Sequence, residues 1–305
     1  MKDTPRAHLA LLGTALIFGM HYSIAKGLMP DSFTPLQLIF FRLLGGSAIF
    51  YLFQRLFVPE KVDKRDLLIL ALCGLFGFAL NQTLFYEGLN LTNPVDASLI
   101  HVLNPVLVVI MASLVLGERV TLLKSGGIAL GASGAVILVL GGNSLRFDGG
   151  HLAGNLLVFS NMVFYALYLV LIKPMTLKYH TSTILKWVSL FGFLFVIPFS
   201  VREALAIHPG AIPVSAWLGL AFVIVLCTFV AYLLVNFAVK HVSLSVVSYY
   251  NYLQPFIAAA LSVSAGQGKV TMAKVAAAIL IFSGVYVVNR ANRKEAASEK
   301  VPERQ

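Results

Sequence analysis

Apolar residues run along this chain in long unbroken blocks separated by short polar connections. Ten blocks approach or exceed the roughly 20 residues a helix needs to cross the hydrocarbon core of a bilayer. They are Leu9–Leu28, Pro35–Phe57, Leu67–Leu89, Val95–Leu116, Leu122–Gly142, Leu152–Ile172, Ile184–Ser200, Ala216–Val239, Ser243–Ala265 and Met272–Asn289. Transmembrane β-strands are about ten residues long with alternating polarity, a pattern these blocks lack. The pattern predicts an all-α polytopic membrane protein of ten transmembrane helices, with connections too short for a soluble domain.

The polar residues inside the blocks repeat. Displaced by 150 residues, Leu103-Asn104-Pro105 falls on Leu253-Gln254-Pro255, and His101 falls on Asn251. Val120-Thr121 likewise meets Val270-Thr271, and Lys124 meets Lys274. The chain therefore reads as a five-helix repeat over 1–146, a second over 147–290, and a short cytoplasmic tail over 291–305, too charged and short to fold. An odd number of spans per repeat inverts the second copy. Inverted repeats are a recurring design of secondary transporters, with the substrate near the midplane between the halves.

Positions i, i+4 and i+7 of a helix share a face. His101 and Asn104 lie on one such stripe, and Asn251 and Gln254 on its mate. Pro105 and Pro255 follow the amides, and each removes a backbone donor, which is tolerated at depth only beside protein or water. Gln82 and Tyr86 are matched by Tyr232 and Asn236, while Asn161, Tyr165 and Tyr168 are matched by Thr14, Phe18 and His21. Together with Tyr22, these residues predict a polar and aromatic central cavity lined by the first, third and fourth helix of each half. The second and fifth helices are poorer in stripes and read as outer scaffolding. Aromatic faces with a few amides suit a small organic solute better than a bare ion.

Composition and charge narrow the class. Charged residues make up 12% of the chain, about half the share found in soluble domains, so a water-facing surface of this size is excluded. The net charge of +10 suggests nucleic acid until it is mapped: with the N-terminus inside, 17 of the 23 Lys and Arg fall on the inner side. That asymmetry places both termini in the cytoplasm and leaves no nucleic-acid patch. The start, "MKDTPRAHLALLGTALIFGM", imitates a signal peptide, but its apolar run continues to Leu28, so it is read as a retained first helix. Cys73 and Cys227 sit inside spans as packing residues.

Ionisable groups inside spans carry the most information. Arg42 lies about two turns into its helix; it offers a substrate carboxylate a partner, although a structural role is the weightier reading. His21 and His101 are candidate proton carriers, since histidine titrates near neutrality. Glu87 and Asp96 flank a turn and are expected at the interface. Glu118-Arg119 reads as a local cap or salt bridge. "GASG" at Gly131–Gly134 matches an intramembrane serine protease motif, but with Gly127 it reads better as small-residue helix packing. "NQT" and "NLT", at Asn81 and Asn90, match glycosylation triplets without further support. No Walker A, H-E-x-x-H or Cys/His metal cluster occurs, so no cofactor is expected, the chain is not read as an enzyme, and any driving force comes from a gradient.

Three stretches, Phe18–Lys26, Phe40–Ala48 with its Arg42, and Leu84–Thr121 with its Pro105 and Gly117-Glu118, together resemble the EamA family of the drug/metabolite transporter superfamily. "FGMHYSIAK" (Phe18–Lys26) resembles its first-helix pattern, with Phe18 where Trp is usual, and "FFRLLGGSA" carries the second-helix Arg42. "LFYEGLNLTNPVDASLIHVLNPVLVVIMASLVLGERVT" (Leu84–Thr121) is the most specific block. Gly268 stands where the family's repeat often keeps the glutamate matching Glu118, and Asn236 replaces a tyrosine. The resemblance implies ten helices with a cavity built from the first, third, fourth, sixth, eighth and ninth. It also implies transport of amino acids, other metabolites or drugs, often outward. The expected partners are a small-molecule substrate, the lipid of a bacterial-type inner membrane and protons as a coupling ion. The reading is thus a secondary transporter, with drug efflux or an uncoupled facilitator as the alternative.

Overall fold

The computed structural model describes residues 4–117, 120–139, 149–239, 241–242 and 250–298. Every regular element among them is helical. The first two are α1 (Thr4–Leu28) and α2 (Pro35–Phe57). α3 (Asp66–Gly74) passes through a π-helical stretch, Leu75–Leu80, into α4 (Asn81–Leu91). α5 (Pro94–His101), α6 (Asn104–Leu116), α7 (Leu122–Val139), α8 (Gly149–Thr176) and α9 (Thr181–Leu205) follow. α10 (Val214–Ala221) passes through a second π stretch, Phe222–Val230, into α11 (Ala231–Val239). α12 (Gln254–Ser264) and α13 (Met272–Ser298) complete the described chain.

Among the described residues, seven helical segments are long and apolar enough to cross a membrane, and the α5–α6 pair makes an eighth if its two parts count as one. The apolar stretches at Leu122–Ile137 and Gln254–Ser264 are shorter. The outside is apolar in the manner of a lipid-facing surface: Leu68, Leu114 and Phe199 are 70%, 73% and 75% exposed. Residues 291–298 of the expected tail continue α13. Glu118, Arg119, Arg146 and residues 299–305 lie outside the described residues.

The span over Val95–Leu116 is broken just before Pro105, one of the two prolines read from the sequence as helix breaks. The segment is two helices bent by 45° between His101 and Asn104. Pro105 has no N–H to offer the His101 carbonyl, and its ring crowds that carbonyl. The backbone responds with tighter bonds, Val102 N–H to Leu99 O (3.1 Å) and Leu103 N–H to Ile100 O (3.0 Å). The same turn recurs before Pro255, where Leu253 N–H donates to Tyr250 O at 3.1 Å. Both breaks end up beside the same cavity.

Backbone-to-backbone packing replaces the hydrophobic drive that lipid cannot supply. α7 and α13 approach so closely that a Cβ on Gly284 would lie 2.5 Å from Gly131 N and 2.6 Å from Gly127 O. The Gly127/Gly131 motif is therefore a helix-packing surface, as its spacing indicated. α4 and α8 meet in the same way at Gly88 and Gly154. α1 is tied to the far end of α4 by Lys26, whose Nζ donates to Leu89 O (3.1 Å) and Asn90 O (2.6 Å). A cation on the free carbonyls of a helix C-terminus is worth about 0.3–1 kcal/mol. Lys26→Met is expected to lower unfolding stability by about that amount, read from denaturant titration in micelles.

Candidate functional site

A cavity of about 260 Å³ lies where the two helix breaks and the first π stretch converge. α1 contributes Phe18, His21 and Tyr22, and α2 contributes Arg42. The Leu75–Leu80 stretch and α4 supply Gly77, Phe78, Asn81, Gln82 and Phe85. His101 and Asn104 enter from the first break and Asn251 and Gln254 from the second. α8 adds Asn161, Met162 and Tyr165, and α11 adds Tyr232.

Most residues singled out by the stripes therefore share one cavity. Two do not line it. Tyr86 is fully buried behind the wall, its hydroxyl turned toward α2, because Arg42 Nη1 donates to it at 2.7 Å. Tyr168 packs over Gly77, where a Cβ would approach its ring to 2.5 Å, and lies tilted beside Tyr165, the ring centroids 5.7 Å apart. The side chain of Asn236 lies outside the described ones. Pro105 and Pro255 shape the breaks rather than the wall.

Sequence reasoning missed Phe85, Phe78, Met162 and Asn81 as lining. On an α-helix, consecutive residues point about 100° apart, which argues against Asn81 and Gln82 sharing a face. Both belong to the start of α4, immediately after the π stretch that ends at Leu80, and both line the cavity. Asn81 was visible as an amide inside a span, but it fell on none of the paired stripes and was weighed only as part of the triplet "NQT".

Two hydrogen-bonded groups organise the wall. In the first, Asn161 Nδ2 donates to Asn81 O (2.7 Å) and Asn81 Nδ2 to Asn161 O (3.0 Å), clasping α4 to α8. Asn161 Oδ1 must then face His101 as an acceptor, so His101 Nε2 donates to it at 2.9 Å. His101 Nδ1 is left to accept from Tyr22 Oη at 2.6 Å. The tautomer is assigned from the network in this way.

The second group centres on Arg42. Its Nε donates to Thr228 Oγ1 (3.2 Å), and Thr228 in turn bonds the Val223 carbonyl five residues back, as a π stretch permits. His21 Nε2 sits 3.1 Å from Tyr86 Oη and 3.4 Å from Arg42 Nη1, so it presents a lone pair to that cluster. Arg42 does not snorkel outward, and among the described residues it has neither a carboxylate nor a backbone carbonyl for a partner. α2, expected as scaffolding, reaches the cavity through this side chain.

Asp96 corrects another expectation. It is 6% exposed rather than interfacial, and its Oδ1 lies 2.8 Å from Nζ of the equally buried Lys274. Asn93 caps α5 by accepting from Asp96 N–H at 3.1 Å and donates to Asp96 Oδ2 at 2.7 Å. Helix-capping geometry and an ion pair thus fix the start of α5 against the start of α13.

The EamA-like transporter family matches residues 5–140 and 152–290, nearly the whole chain. The chain belongs to the EamA-like transporter family. It is a multi-pass membrane permease of the drug/metabolite transporter superfamily, and its class of ligand is a small molecule. An uncharacterized transporter of Bacillus subtilis, YyaM, is 26% identical over 290 residues, 91% of this chain and 92% of its own. An uncharacterized transporter of Archaeoglobus fulgidus is 27% identical over 287 residues, covering 92% and 96%. A protein of Streptantibioticus cattleyicolor described as a probable terminal-alkyne amino-acid exporter is 27% identical over 243 residues, covering 78% of this chain and 80% of its own. A crystal structure covering 95% of this EamA chain and 97% of its own matches with a TM-score of 0.62 at 19% identity, a likeness of fold.

Proposed function

We propose that this permease is a secondary transporter that exports an amino acid or related zwitterion across a bacterial-type inner membrane by alternating access. The carrying observation is the cavity: about 260 Å³, walled by aromatic rings, amides and one guanidinium drawn from both sequence halves. That volume lies below the roughly 300–1,000 Å³ of pockets for drug-sized ligands. The recurrence of the helix break 150 residues on, and of a π stretch in the helices before each break, supports two inverted five-helix halves. The charge bias supports a cytoplasmic position for both termini. The relative described as a probable terminal-alkyne amino-acid exporter favours the same class of cargo and direction.

The experiment loads proteoliposomes with a mixture of amino acids and common metabolites and follows the loss of each by mass spectrometry, beside empty liposomes. Selective loss of amino acids is expected. Retention of the whole mixture by folded protein would sink the reading.

Proton exchange is assigned to His101 rather than His21. A proton added at His21 Nε2 would face Arg42, whereas His101 bonds only neutral groups, Tyr22 and Asn161. His101→Gln is expected to flatten the pH dependence of transport, with His21→Gln retaining it. Equal pH profiles for wild type and His101→Gln would remove His101 from the coupling.

Efflux of lipophilic compounds is the second reading. A separate cleft of about 310 Å³ between α6, α7 and α8 favours it, since its lining, Leu103 and Val106 among it, is apolar. Saturable loss of a lipophilic dye, with no amino-acid movement, would support that reading instead.

A further inference from the structure

Arg42 offers more donors than its neighbours use. Nε is taken by Thr228, and Nη1 by Tyr86 and, at longer range, His21. Nη2, with two N–H groups, has no partner among the described residues, and Arg42 lines the cavity. A guanidinium in a low-dielectric site without a counter-charge is costly, and an anion in the cavity offsets that cost. Its fork matches a carboxylate.

The same wall holds acceptors without donors. Gln82 is 8% exposed and its Oε1 has no hydrogen-bond partner; Asn104 Oδ1, across the first break, is in the same condition. Gln82 lies one turn from Tyr86, the hydroxyl that holds Arg42, about 6 Å along the helix axis. The last side-chain torsion of an amide is soft, so its oxygen turns readily toward a donor. An ammonium carries three N–H groups and accepts none, which complements two amide oxygens. No acidic side chain lines the cavity among the described residues.

We propose that the cavity is bipolar: Arg42 binds the carboxylate of an α-amino acid, Gln82 and Asn104 receive its ammonium, and a neutral side chain is selected over a cationic one. This rests on the amino-acid transport reading and names the chemistry of that site.

The test measures binding by ligand-induced thermal stabilisation of the purified protein in detergent, which does not require transport. Each of the twenty protein amino acids is tried, then the carboxamide and the deaminated acid of the strongest binder. Neutral amino acids are expected to bind more tightly than lysine and arginine. Losing one charged hydrogen-bonded group is expected to weaken binding about ten- to a hundredfold, for the carboxamide and for the deaminated acid alike. Arg42→Gln should lose affinity for the amino acid by a similar factor and no longer prefer it to the carboxamide. Arg42→Lys, which keeps the charge without the fork, should fall between. Gln82→Leu should lose the preference over the deaminated acid.

Equal binding of amino acid and carboxamide by the wild type would overturn the proposal without any variant. Persistence of that preference in folded Arg42→Gln would overturn it as well. Binding with the expected pattern but no flux in proteoliposomes would leave the bipolar site standing and remove the transport reading. Absence of any amino-acid binding by folded protein would remove both.

Discussion

Replacing Asp96 with asparagine, or Lys274 with methionine, is expected to destabilise the fold by about 3–5 kcal/mol. Each substitution leaves one charge buried without its counter-ion. Asp96 and Lys274 are 6% and 9% exposed, so neither gains water when its partner is removed. The loss extends past the pair. Asn93 bonds both members and caps α5, donating to Asp96 Oδ2 and accepting from Lys274 Nζ at 3.4 Å. The desolvation cost of a buried pair nearly cancels its attraction, so removing both charges is far gentler than removing one. Asp96→Leu/Lys274→Met is therefore expected to recover most of the stability lost by either single variant. Chemical unfolding of all three in the same micelles checks this. A double variant as unstable as the sum of the singles would show that the pair does not act as a unit.

Gly284→Leu is expected to prevent α7 and α13 from docking and to leave little folded protein. Even the single carbon of alanine would meet Gly131 N at 2.5 Å and Gly127 O at 2.6 Å, both backbone atoms that no rotamer change can move. Overpacking of this kind costs about 1–3 kcal/mol where side chains can yield. Here whole helices must separate, so the alanine variant marks the lower bound and the leucine variant exceeds it. Gly126 is the control. A Cβ there meets nothing within 4 Å, so Gly126→Leu, in the partner helix α7, is expected to keep the wild-type melting temperature. Equal melting of Gly284→Leu and wild type would rule out the close packing of α7 on α13.

The helical class and the polar lining were legible from local pattern alone. Length and apolarity force a helix in lipid, because only intrasegment bonds satisfy the backbone there. The 3.6-residue period then placed Gln82, His101, Asn104, Asn161, Tyr165, Asn251 and Gln254 on inward faces, and all of them line the cavity. The family assignment, carried by motifs such as the block from Leu84 to Thr121, rested on the same local order.

Three features were not legible, each for a reason of distance or backbone geometry. Proline announced a disturbance at Pro105, but its 45° bend depends on what packs beside α5 and α6. Tyr86 shares a face with Gln82, yet its hydroxyl belongs to Arg42, 44 residues away in sequence. Asp96 read as interfacial because its partner is Lys274, 178 residues later, and no local pattern joins them.

By itself, then, the sequence determined the material of this protein: helices suited to a bilayer, a family, and a set of polar groups held at depth. Those follow from hydropathy and helical period, which act over a turn or two of chain. Only the tertiary structure decided which polar groups neutralise one another and which stay available. It gave Asp96 to Lys274, His101 to Tyr22 and Asn161, and Tyr86 to Arg42, while leaving Nη2 of Arg42 without a protein partner among the described residues. Pairing over such separations is set by how helices pack, because a hydrogen bond or ion pair acts over about 3 Å, whatever the separation along the chain.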